Sequence, residues 1–500
     1  MNKFFKEYRN KEILAGMFFV SVLAIVLIPL FMVAPYNFQS ADDWSFGANG
    51  YHILKNGGSV FDVFIGAFRV TWDAYISWDG AYSSIFLSAF EPAIFGEECY
   101  VVVPYIMIGS LIIFEVLAIL ITVRTVTDEG KLFFSVLPII LPSIILQILY
   151  CPSTVESFYW YMGAVAYTFP HALSFTFIAL FIYLMNYKGA KIKFTVLYML
   201  EIFITWFIGG SNFIVRIYVT LTLFVLTFFM ALKNRTVLKR ALPVMFLTLF
   251  WTLLSIFAPG NMVRFDSSFA AQSENPIFTI CKSLYSTGNM IVSWTNIKVI
   301  LMLFIILPFV LMLVRRMKFE FGMPGLYTFF SFGLFATQLT AVIQVKSSFG
   351  ARMVALYYYS YHVFIVSNFV YWIGWAYNRF IKDKKANEVI LGFINKWILC
   401  YTAIFAAMLF GLILIVDKKE ISSYTAYRDY KQGWAKQYAD EWKERFEILH
   451  DDSIKDVVFK PLSVMPYSFA YTDLQTDDGY IWLNYVCAEY YEKDSIIVEK

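Results

Sequence analysis

The chain has 500 residues, of which 59% are hydrophobic, 20% aromatic and 15% charged, and its mean hydropathy is +0.62. A composition this apolar excludes an ordinary soluble globular protein and predicts an all-α integral membrane protein that crosses the bilayer many times. The net charge of +3 gives no indication of nucleic acid binding. The cysteines lack the spacing of a metal site or a disulfide framework, so isolated thiols are expected at Cys99, Cys151, Cys281, Cys400 and Cys487.

A membrane-spanning helix needs about 20 mostly apolar residues, and windows of that kind recur throughout residues 1–416. The windows at 171–187 and 193–209 are short. An alternative interpretation is that one of them is a tilted or re-entrant segment. The first window lacks a cleavage site, so it is expected to remain as an anchor. We predict eleven transmembrane helices, near residues 13–34, 101–123, 132–150, 171–187, 193–209, 212–232, 241–258, 297–314, 324–345, 353–377 and 395–416.

The distribution of basic residues predicts the orientation of these helices. The six segments on one side carry 21 Lys and Arg residues, whereas the four loops on the other side carry six. Because basic residues accumulate on the cytoplasmic side, the N-terminus is expected inside and the C-terminus outside. The exoplasmic connections are then 35–100, 151–170, 259–296 and 346–352, together with the polar tail. Function is expected on this face because every long connection lies there.

The first exoplasmic loop, 35–100, contains an adjacent carboxylate pair, Asp42 and Asp43, beside an indole at Trp44. Apolar residues recur at three-to-four spacing from Val60 to Ile76, which predicts an amphipathic helix lying along the membrane interface. The alternative interpretation is that this helix is only an interfacial strut and that the two aspartates are solvated loop acids. The loop is therefore the first candidate for the functional site.

Four further stretches carry a family resemblance: "WDAYISWDGAYSSIFLSAFEP", "ESFYWYMGAVAYTFPHALSF", "APGNMVRF" and "DDGYIWLNYVCAEYYEKDSI". On these motifs the chain resembles the bacterial membrane family DUF6056 over essentially its whole length. It is more distantly similar, through its topology and acidic first loop, to the GT-C superfamily of polyprenyl-phosphate-sugar-dependent glycosyltransferases. One departure concerns "GGSNFIVR", where related sequences have an acidic residue and this chain has Asn212.

The resemblance implies a GT-C-like fold and inverting transfer of a sugar from a polyprenyl-phosphate donor. The acceptor would be a cell-envelope glycan, lipid or protein at the outer face of the bacterial plasma membrane. GT-C enzymes place a catalytic acid in the first exoplasmic loop, so that role falls on Asp42 or Asp43. A carboxylate near the membrane face suits the role of base, because partial desolvation and the adjacent like charge raise its pKa. Adjacent residues seldom point the same way, so one acid is expected to be the base and the other an orienting or substrate-hydroxyl-binding partner, with Asp42 preferred as the base. A divalent cation, Mg²⁺ or Mn²⁺, held by the pair is left open.

The few exoplasmic cations are the candidates for binding the donor phosphate. Arg352 and Lys346 lie in "KSSFGARM" at the start of the tenth helix, and Arg264 follows the turn sequence "APGN". A guanidinium donates two hydrogen bonds to a phosphate at once, although anchoring to lipid headgroups is the alternative role. The other substrate-binding candidates at this surface are His171, Glu156, Trp78, Asp79 and Tyr82.

The polar tail, 417–500, is expected to form a small mixed α/β exoplasmic cap packed on the first loop. Four aromatic residues at i, i+4 spacing predict a helix with one buried stripe: Trp434, Tyr438, Trp442 and Phe446. A strand and a second short helix are expected after it. Within the membrane, Glu201 and Arg216 are expected to pair with each other.

A transporter or flippase for a lipid-linked or polar substrate is the alternative function. Such a protein needs a polar route through the membrane and usually has two related halves. Few ionisable residues lie within the predicted spans, and no internal repeat is evident, which favours the enzyme. An assembly protein without enzymatic activity is the third alternative.

Overall fold

The computed structural model describes residues 2–127, 132–267, 274–344, 349–382, 386–476 and 481–499. In this part of the chain, helices dominate, and the only sheet is a parallel pair, β1 and β2, with Asp456 opposite Ser495. The elements in chain order are α1 Asn2–Val33, α2 Asp42–Lys55, α3 Val60–Ser77, α4 Tyr82–Ser88, α5 Val102–Val126, α6 Phe133–Leu149, α7 Tyr161–Ala166, α8 Thr168–Met185, α9 Lys191–Gly209, α10 Phe213–Lys233, α11 Leu238–Ile256, α12 Pro259–Ser267, α13 Pro276–Trp294, α14 Ile297–Arg316, α15 Pro324–Gln344, α16 Ala351–Ala376, α17 Ala386–Val416, α18 Ser422–Lys431, α19 Trp434–Leu449, β1 Asp456–Phe459, α20 Trp482–Tyr490 and β2 Ser495–Val498.

Within the described residues, nine helices are long and apolar enough to cross a membrane: α1, α5, α8, α9, α10, α11, α14, α15 and α17. This confirms an all-α, multi-pass membrane protein. The two remaining predicted spans are also helices, but α6 has only 17 residues and α16 is rich in tyrosine. Because α6 is buried from Ser135 to Leu149, its apolar residues contact other helices rather than lipid. The count of eleven spans and the orientation stay predictions.

The amphipathic helix expected in the first loop is present as α3. It starts with a capping box in which Ser59 and Asp62 exchange hydrogen bonds. Small residues such as Gly66 and Ala67 face the protein, while Phe61 and Trp72 are more than 60% exposed on the opposite face. An exposed aromatic face of this kind is typical of a helix that lies in the membrane interface.

The connection 259–296, expected to be a loop, instead contains the helices α12 and α13. The buried positions of α13 are small polar residues, Thr279, Ser283 and Thr287, whereas Ile277 and Val292 are exposed. The helix thus buries polar residues and exposes apolar ones, which is the opposite of a surface helix in a soluble protein. This arrangement suits contact with lipid, because lipid is as apolar as the side chains that face it. The three threonine and serine residues interrupt the hydropathy signal, which is why the helix escaped the window count.

In the described residues of the tail, three helices and two strands form a cap at the end of the bundle that carries the first loop. Ser423 in α18 donates to the carbonyl of Val26 at 2.7 Å, which ties the cap to α1. The aromatic stripe is largely confirmed, since Tyr438, Trp442 and Phe446 are buried. A separate helix, α18, precedes α19, and the chain turns between them at Gly433, whose φ of 78° is left-handed.

Candidate functional site

Asp42 and Asp43 lie in the first turn of α2, directly after Ala41. Ala41 has a φ of 56°, a left-handed value that strains a residue with a Cβ atom. Ser40 holds the turn, because its N–H donates to Asp43 Oδ2 at 3.2 Å and its carbonyl accepts from the Asp43 N–H at 3.2 Å. Successive residues of a helix are rotated by about 100°, so the two carboxylates face different surroundings.

Asp43 is fully buried, and both of its carboxylate oxygens accept hydrogen bonds from the protein. Oδ2 accepts from the Tyr100 hydroxyl at 2.5 Å and Oδ1 accepts from the Met162 N–H at 2.8 Å. The Tyr100 oxygen in turn accepts from the Tyr161 N–H at 2.8 Å. Burial raises the pKa of Asp43 to about 7, although these hydrogen bonds act in the opposite direction. The carboxylate therefore joins α2 to the segment around Tyr161.

Asp42 has the opposite environment. Its carboxylate is half-buried and makes no hydrogen bond or ion pair with any residue that the structure describes. Desolvation raises the pKa of Asp42, and the positive charges of Arg352 and Arg264 partly offset this effect. Of the two acids, Asp42 is the one whose oxygens are free to meet a ligand.

Arg352 lies in the first turn of α16 on one side of Asp42. Its Nη1 forms an ion pair with Glu156 Oε2 at 3.5 Å, and its backbone N–H donates to the same oxygen at 3.3 Å. The guanidinium lies over the rings of Trp160 and Tyr167, 5.2 Å from each centroid. Its Nε is buried and has no hydrogen-bond partner among the described residues. The predicted neighbours Arg352 and Glu156 are thus in contact, and one donor of the guanidinium is left unused.

Arg264 lies in α12 and contacts residues of the "WDGAY" stretch, 78–82. Its Nη1 is 2.5 Å from Asp79 Oδ2, and its guanidinium lies 4.8 Å from the centroid of the Trp78 ring. The Gly80 N–H donates to the side-chain Oδ1 of Asn261 at 2.9 Å, which joins this stretch to α12. Three of the sequence candidates, Arg264, Asp79 and Trp78, therefore form one contiguous group.

Tyr82 is buried beneath this group, and its hydroxyl has no described hydrogen-bond partner.

The expected pair between Glu201 and Arg216 is wrong. Arg216 Nη1 donates to the carbonyl of Ser211 at 3.3 Å and to the hydroxyl of Ser255. Both oxygens of the buried Glu201 lack a described partner. The two side chains belong to different helices, and a sequence does not show which helix faces they occupy.

His171 was a candidate at the outer surface, but it forms no hydrogen bond or ion pair with the nearby candidate Glu156 in the described structure. It is buried within the bundle, where Nε2 lies 3.4 Å from the Ser360 hydroxyl and the ring meets Phe175 edge-on. Lys346 lies outside the described residues. His171 is therefore separate from the group around Asp42.

Three aromatic residues that were not among the candidates contact this site. The ring of Tyr471, from the cap, stacks on Trp160 at a centroid distance of 3.8 Å and an interplanar angle of 8°. The indole Nε1–H of Trp160 donates to the Ser40 carbonyl at 3.0 Å, beside the aspartate pair. Trp160 and Tyr167 fall within the motif "ESFYWYMGAVAYTFP", so this motif could have indicated both residues from the sequence. No local pattern marks Tyr471.

The bundle interior holds a chain of hydrogen-bonded polar side chains. Gln147 Nε2 donates to Glu115 Oε2 at 3.0 Å and lies 3.4 Å from the Ser143 hydroxyl. That hydroxyl is 3.1 Å from His362 Nδ1. These four residues belong to α5, α6 and α16, so polar groups connect three helices inside the predicted membrane region.

The residues present do not fit a divalent cation held by Asp42 and Asp43. Both oxygens of Asp43 already accept from protein donors, and no cluster of three or more His, Cys, Asp or Glu ligands occurs in the described residues. Comparison with models of known protein families, with curated protein sequences and with solved structures finds no match. The likeness to DUF6056 therefore rests on the sequence motifs alone, and the more distant likeness to the GT-C superfamily rests on the predicted topology and the acidic first loop.

Proposed function

We propose that this protein is a membrane glycosyltransferase that moves a sugar from a polyprenyl-phosphate donor to a hydroxyl of a cell-envelope glycan, lipid or protein. The observation that carries the proposal is Asp42. It is a half-buried carboxylate without a described partner, and it is under the electrostatic influence of both Arg352 and Arg264. An inverting transfer from a lipid phosphate requires a carboxylate that can act as a base and cations that stabilise the departing phosphate.

In the proposed reaction, Asp42 accepts the proton of the acceptor hydroxyl. The oxygen then forms a bond to the anomeric carbon while the bond from that carbon to the phosphate oxygen breaks. The electron pair of the broken bond leaves with the lipid phosphate, and the configuration at the anomeric carbon inverts. A raised pKa improves Asp42 as a base, because proton transfer is most efficient when the pKa approaches the working pH.

Arg352 is the first candidate for stabilising the departing phosphate. Its Nε has no partner in the described structure, and Glu156 restrains the other side of the guanidinium. A positioned guanidinium costs little reorganisation when negative charge develops on the leaving group. Arg264 adds positive charge nearby but is shared with Asp79, so we assign it a secondary part.

The bilayer is the expected source of the donor lipid. The exposed aromatic face of α3 fits a membrane interface, and α3 follows directly after the helix that carries Asp42. With the predicted orientation, the reaction takes place on the exoplasmic face of a bacterial plasma membrane. This location supports transfer from a lipid-anchored donor to an acceptor outside the cell.

The test is transfer of labelled sugar from a panel of polyprenyl-phosphate sugars by the purified protein in proteoliposomes. Asp42→Asn should lower turnover by at least about 100-fold, because a positioned general base contributes about that much or more. The matched control is Asp73→Asn, an exposed acid on α3. Wild-type turnover by a folded Asp42→Asn variant would refute the role of the base, and no transfer from any donor would count against the enzyme.

A transporter or flippase is the second candidate, and the chain from Glu115 through Gln147 and Ser143 to His362 favours it. Polar side chains inside a membrane domain commonly mark a substrate or proton pathway. The same proteoliposomes distinguish the two functions. Movement of a lipid-linked sugar across the bilayer without transfer, abolished by Glu115→Gln, would favour transport.

A further inference from the structure

A cavity of about 150 Å³ lies where the ends of α6 and α13 meet the start of α14 and the side of α16. Leu146, Val299 and Tyr358 contribute its buried part, whereas Pro152 and Asn296 are exposed. The cavity therefore has a closed floor and opens at the surface of the bundle.

Three side chains at the cavity carry hydrogen-bonding groups that the described structure leaves available. Tyr358 is only 8% exposed, yet its hydroxyl has no described partner. Asn296 caps α14 with Oδ1, which accepts from the N–H groups of Lys298 and Val299, so both protons of its Nδ2 remain available. Lys298 Nζ donates to Asp417 Oδ2 at 2.7 Å and retains two further protons. Because an unpartnered buried hydroxyl is costly, a polar ligand at this position would stabilise the protein.

The charge at the cavity is balanced without a ligand. Lys298 is the one charged side chain among the described residues that line the cavity, and it forms an ion pair with Asp417. The Tyr150 hydroxyl donates to the same carboxylate oxygen at 2.7 Å, and the ammonium group lies 4.2 Å from the centroid of the Tyr150 ring. An anion would have to compete with Asp417 for the ammonium group, so an uncharged ligand is favoured.

Aromatic rings supply much of the remaining lining. Trp294 meets Tyr358 edge-on, with 5.4 Å between the ring centroids, and Tyr150 contributes a third ring. A cavity of this volume takes a six-membered ring, as an apolar cavity of about 150 Å³ takes benzene. Aromatic rings suit the C–H faces of a pyranose, while amide, ammonium and phenol groups suit its hydroxyls. The lining therefore fits a hydroxylated six-membered ring.

We propose that this cavity binds one uncharged sugar residue in its pyranose form and is a site separate from that of Asp42. Tyr358 follows Arg352 by six positions in α16, which corresponds to a rise of about 9 Å and a rotation of about 240°. The two side chains thus leave different faces of the helix. The cavity is nevertheless at the end of the bundle that contacts the cap, because Ser422 of α18 donates to the carbonyl of Ile148 in α6 at 2.8 Å. The proposal does not depend on the transfer reaction, since no bond is made or broken in the cavity.

The test measures binding of methyl glycosides to the full chain in nanodiscs by ligand-observed NMR, together with the thermal midpoint. The panel covers neutral hexoses, deoxyhexoses, pentoses and N-acetylhexosamines, and inorganic phosphate and glycerol phosphate are the anionic probes. Asn296→Asp keeps the oxygen that caps α14 but replaces the Nδ2 donor by a charged acceptor. Asn275→Asp is the matched control, because Asn275 caps α13 in the same way and does not line the cavity. Tyr358→Phe is the second variant, and it removes only the unpartnered hydroxyl.

At least one neutral glycoside should bind the wild type and Asn275→Asp with equal affinity. Tyr358→Phe should weaken this binding about fivefold, the effect of losing one hydrogen bond between uncharged groups, and Asn296→Asp should weaken it by at least as much. If Asn296→Asp lowers the thermal midpoint well below that of its control, Tyr358→Phe decides the result.

Absence of saturable binding by every glycoside would overturn the proposal, as would equal affinity in a folded cavity variant and the control. Preferential binding of phosphate or glycerol phosphate would assign the cavity to an anion or a lipid headgroup, and so would also overturn it. Because binding is measured without a lipid donor and without turnover, failure of the transferase assay and failure of this proposal are separate results.

Discussion

Tyr100→Phe tests the structural role of Asp43 by deleting one oxygen atom. Tyr100 is fully buried, and its hydroxyl donates to Asp43 Oδ2 at 2.5 Å while accepting from the Tyr161 N–H at 2.8 Å. Phenylalanine fills the same volume apart from the hydroxyl, so no sizeable cavity forms. The substitution therefore isolates the hydrogen bonds from packing.

The expected cost follows from the two bonds that are lost. A hydrogen bond to a charged group contributes about 1.5–3 kcal/mol, and an unsatisfied buried N–H costs about 1–3 kcal/mol. Since the two contacts share one atom and are not strictly additive, we expect a loss of about 3 kcal/mol in the free energy of unfolding.

The cost should also depend on pH. The Tyr100 hydroxyl favours the ionised form of Asp43, so its removal raises a pKa that already lies at about 7. When folding raises the pKa of an acid, the protein loses stability as the pH rises from the pKa of that acid in the unfolded state through its higher pKa in the folded state. The difference between wild type and variant should therefore be larger at about pH 8 than at about pH 5.

The assay is reversible unfolding in mixed micelles at both pH values. Tyr105→Phe is the control, because this tyrosine lies in α5 shortly after Tyr100, is 45% exposed and stacks on Phe31 without a described hydrogen bond from its hydroxyl. The control should change stability by less than about 0.5 kcal/mol. Equal stability of the two variants would refute the reasoning about Asp43.

Three further predictions concern the cap and the membrane domain. Trp442→Ala should cost about 3–5 kcal/mol and expose the cap to limited proteolysis, because this indole is fully buried, whereas the control Trp434→Ala should not. Glu201→Gln should leave the thermal midpoint unchanged or raise it, since neither carboxylate oxygen has a described partner, and a marked fall would contradict this. His450→Gln should lower stability by less than about 1 kcal/mol. Glu97 raises the pKa of His450, so this loss should be present at low pH and disappear as the pH rises through that pKa.

The sequence predicted the features that depend on local composition. Apolar windows identified the membrane helices because a span must be about 20 residues of side chains compatible with lipid. The three-to-four spacing identified α3, and the i, i+4 aromatic spacing identified the stripe of α19. The prediction failed at α13, where buried threonine and serine residues reverse the usual pattern.

The partners of the aspartate pair could not be predicted in this way. Asp42 and Asp43 are adjacent, and both are acids beside the same predicted helix. They differ because Tyr100, 57 residues further along the chain, lies against Asp43, and Arg352, more than 300 residues away, acts on Asp42. Contacts over such separations depend on which faces of the helices meet.

By itself, the sequence determined that the chain is a multi-pass helical membrane protein with its acidic pair close to the end of the first helix, because hydropathy and spacing are properties of neighbouring residues. Only the tertiary structure decided that Asp43 is tied into the protein interior, that Asp42 is free, and that Tyr471 of the cap stacks on Trp160 beside it. The physical reason is that desolvation and hydrogen bonding depend on what surrounds a side chain in space.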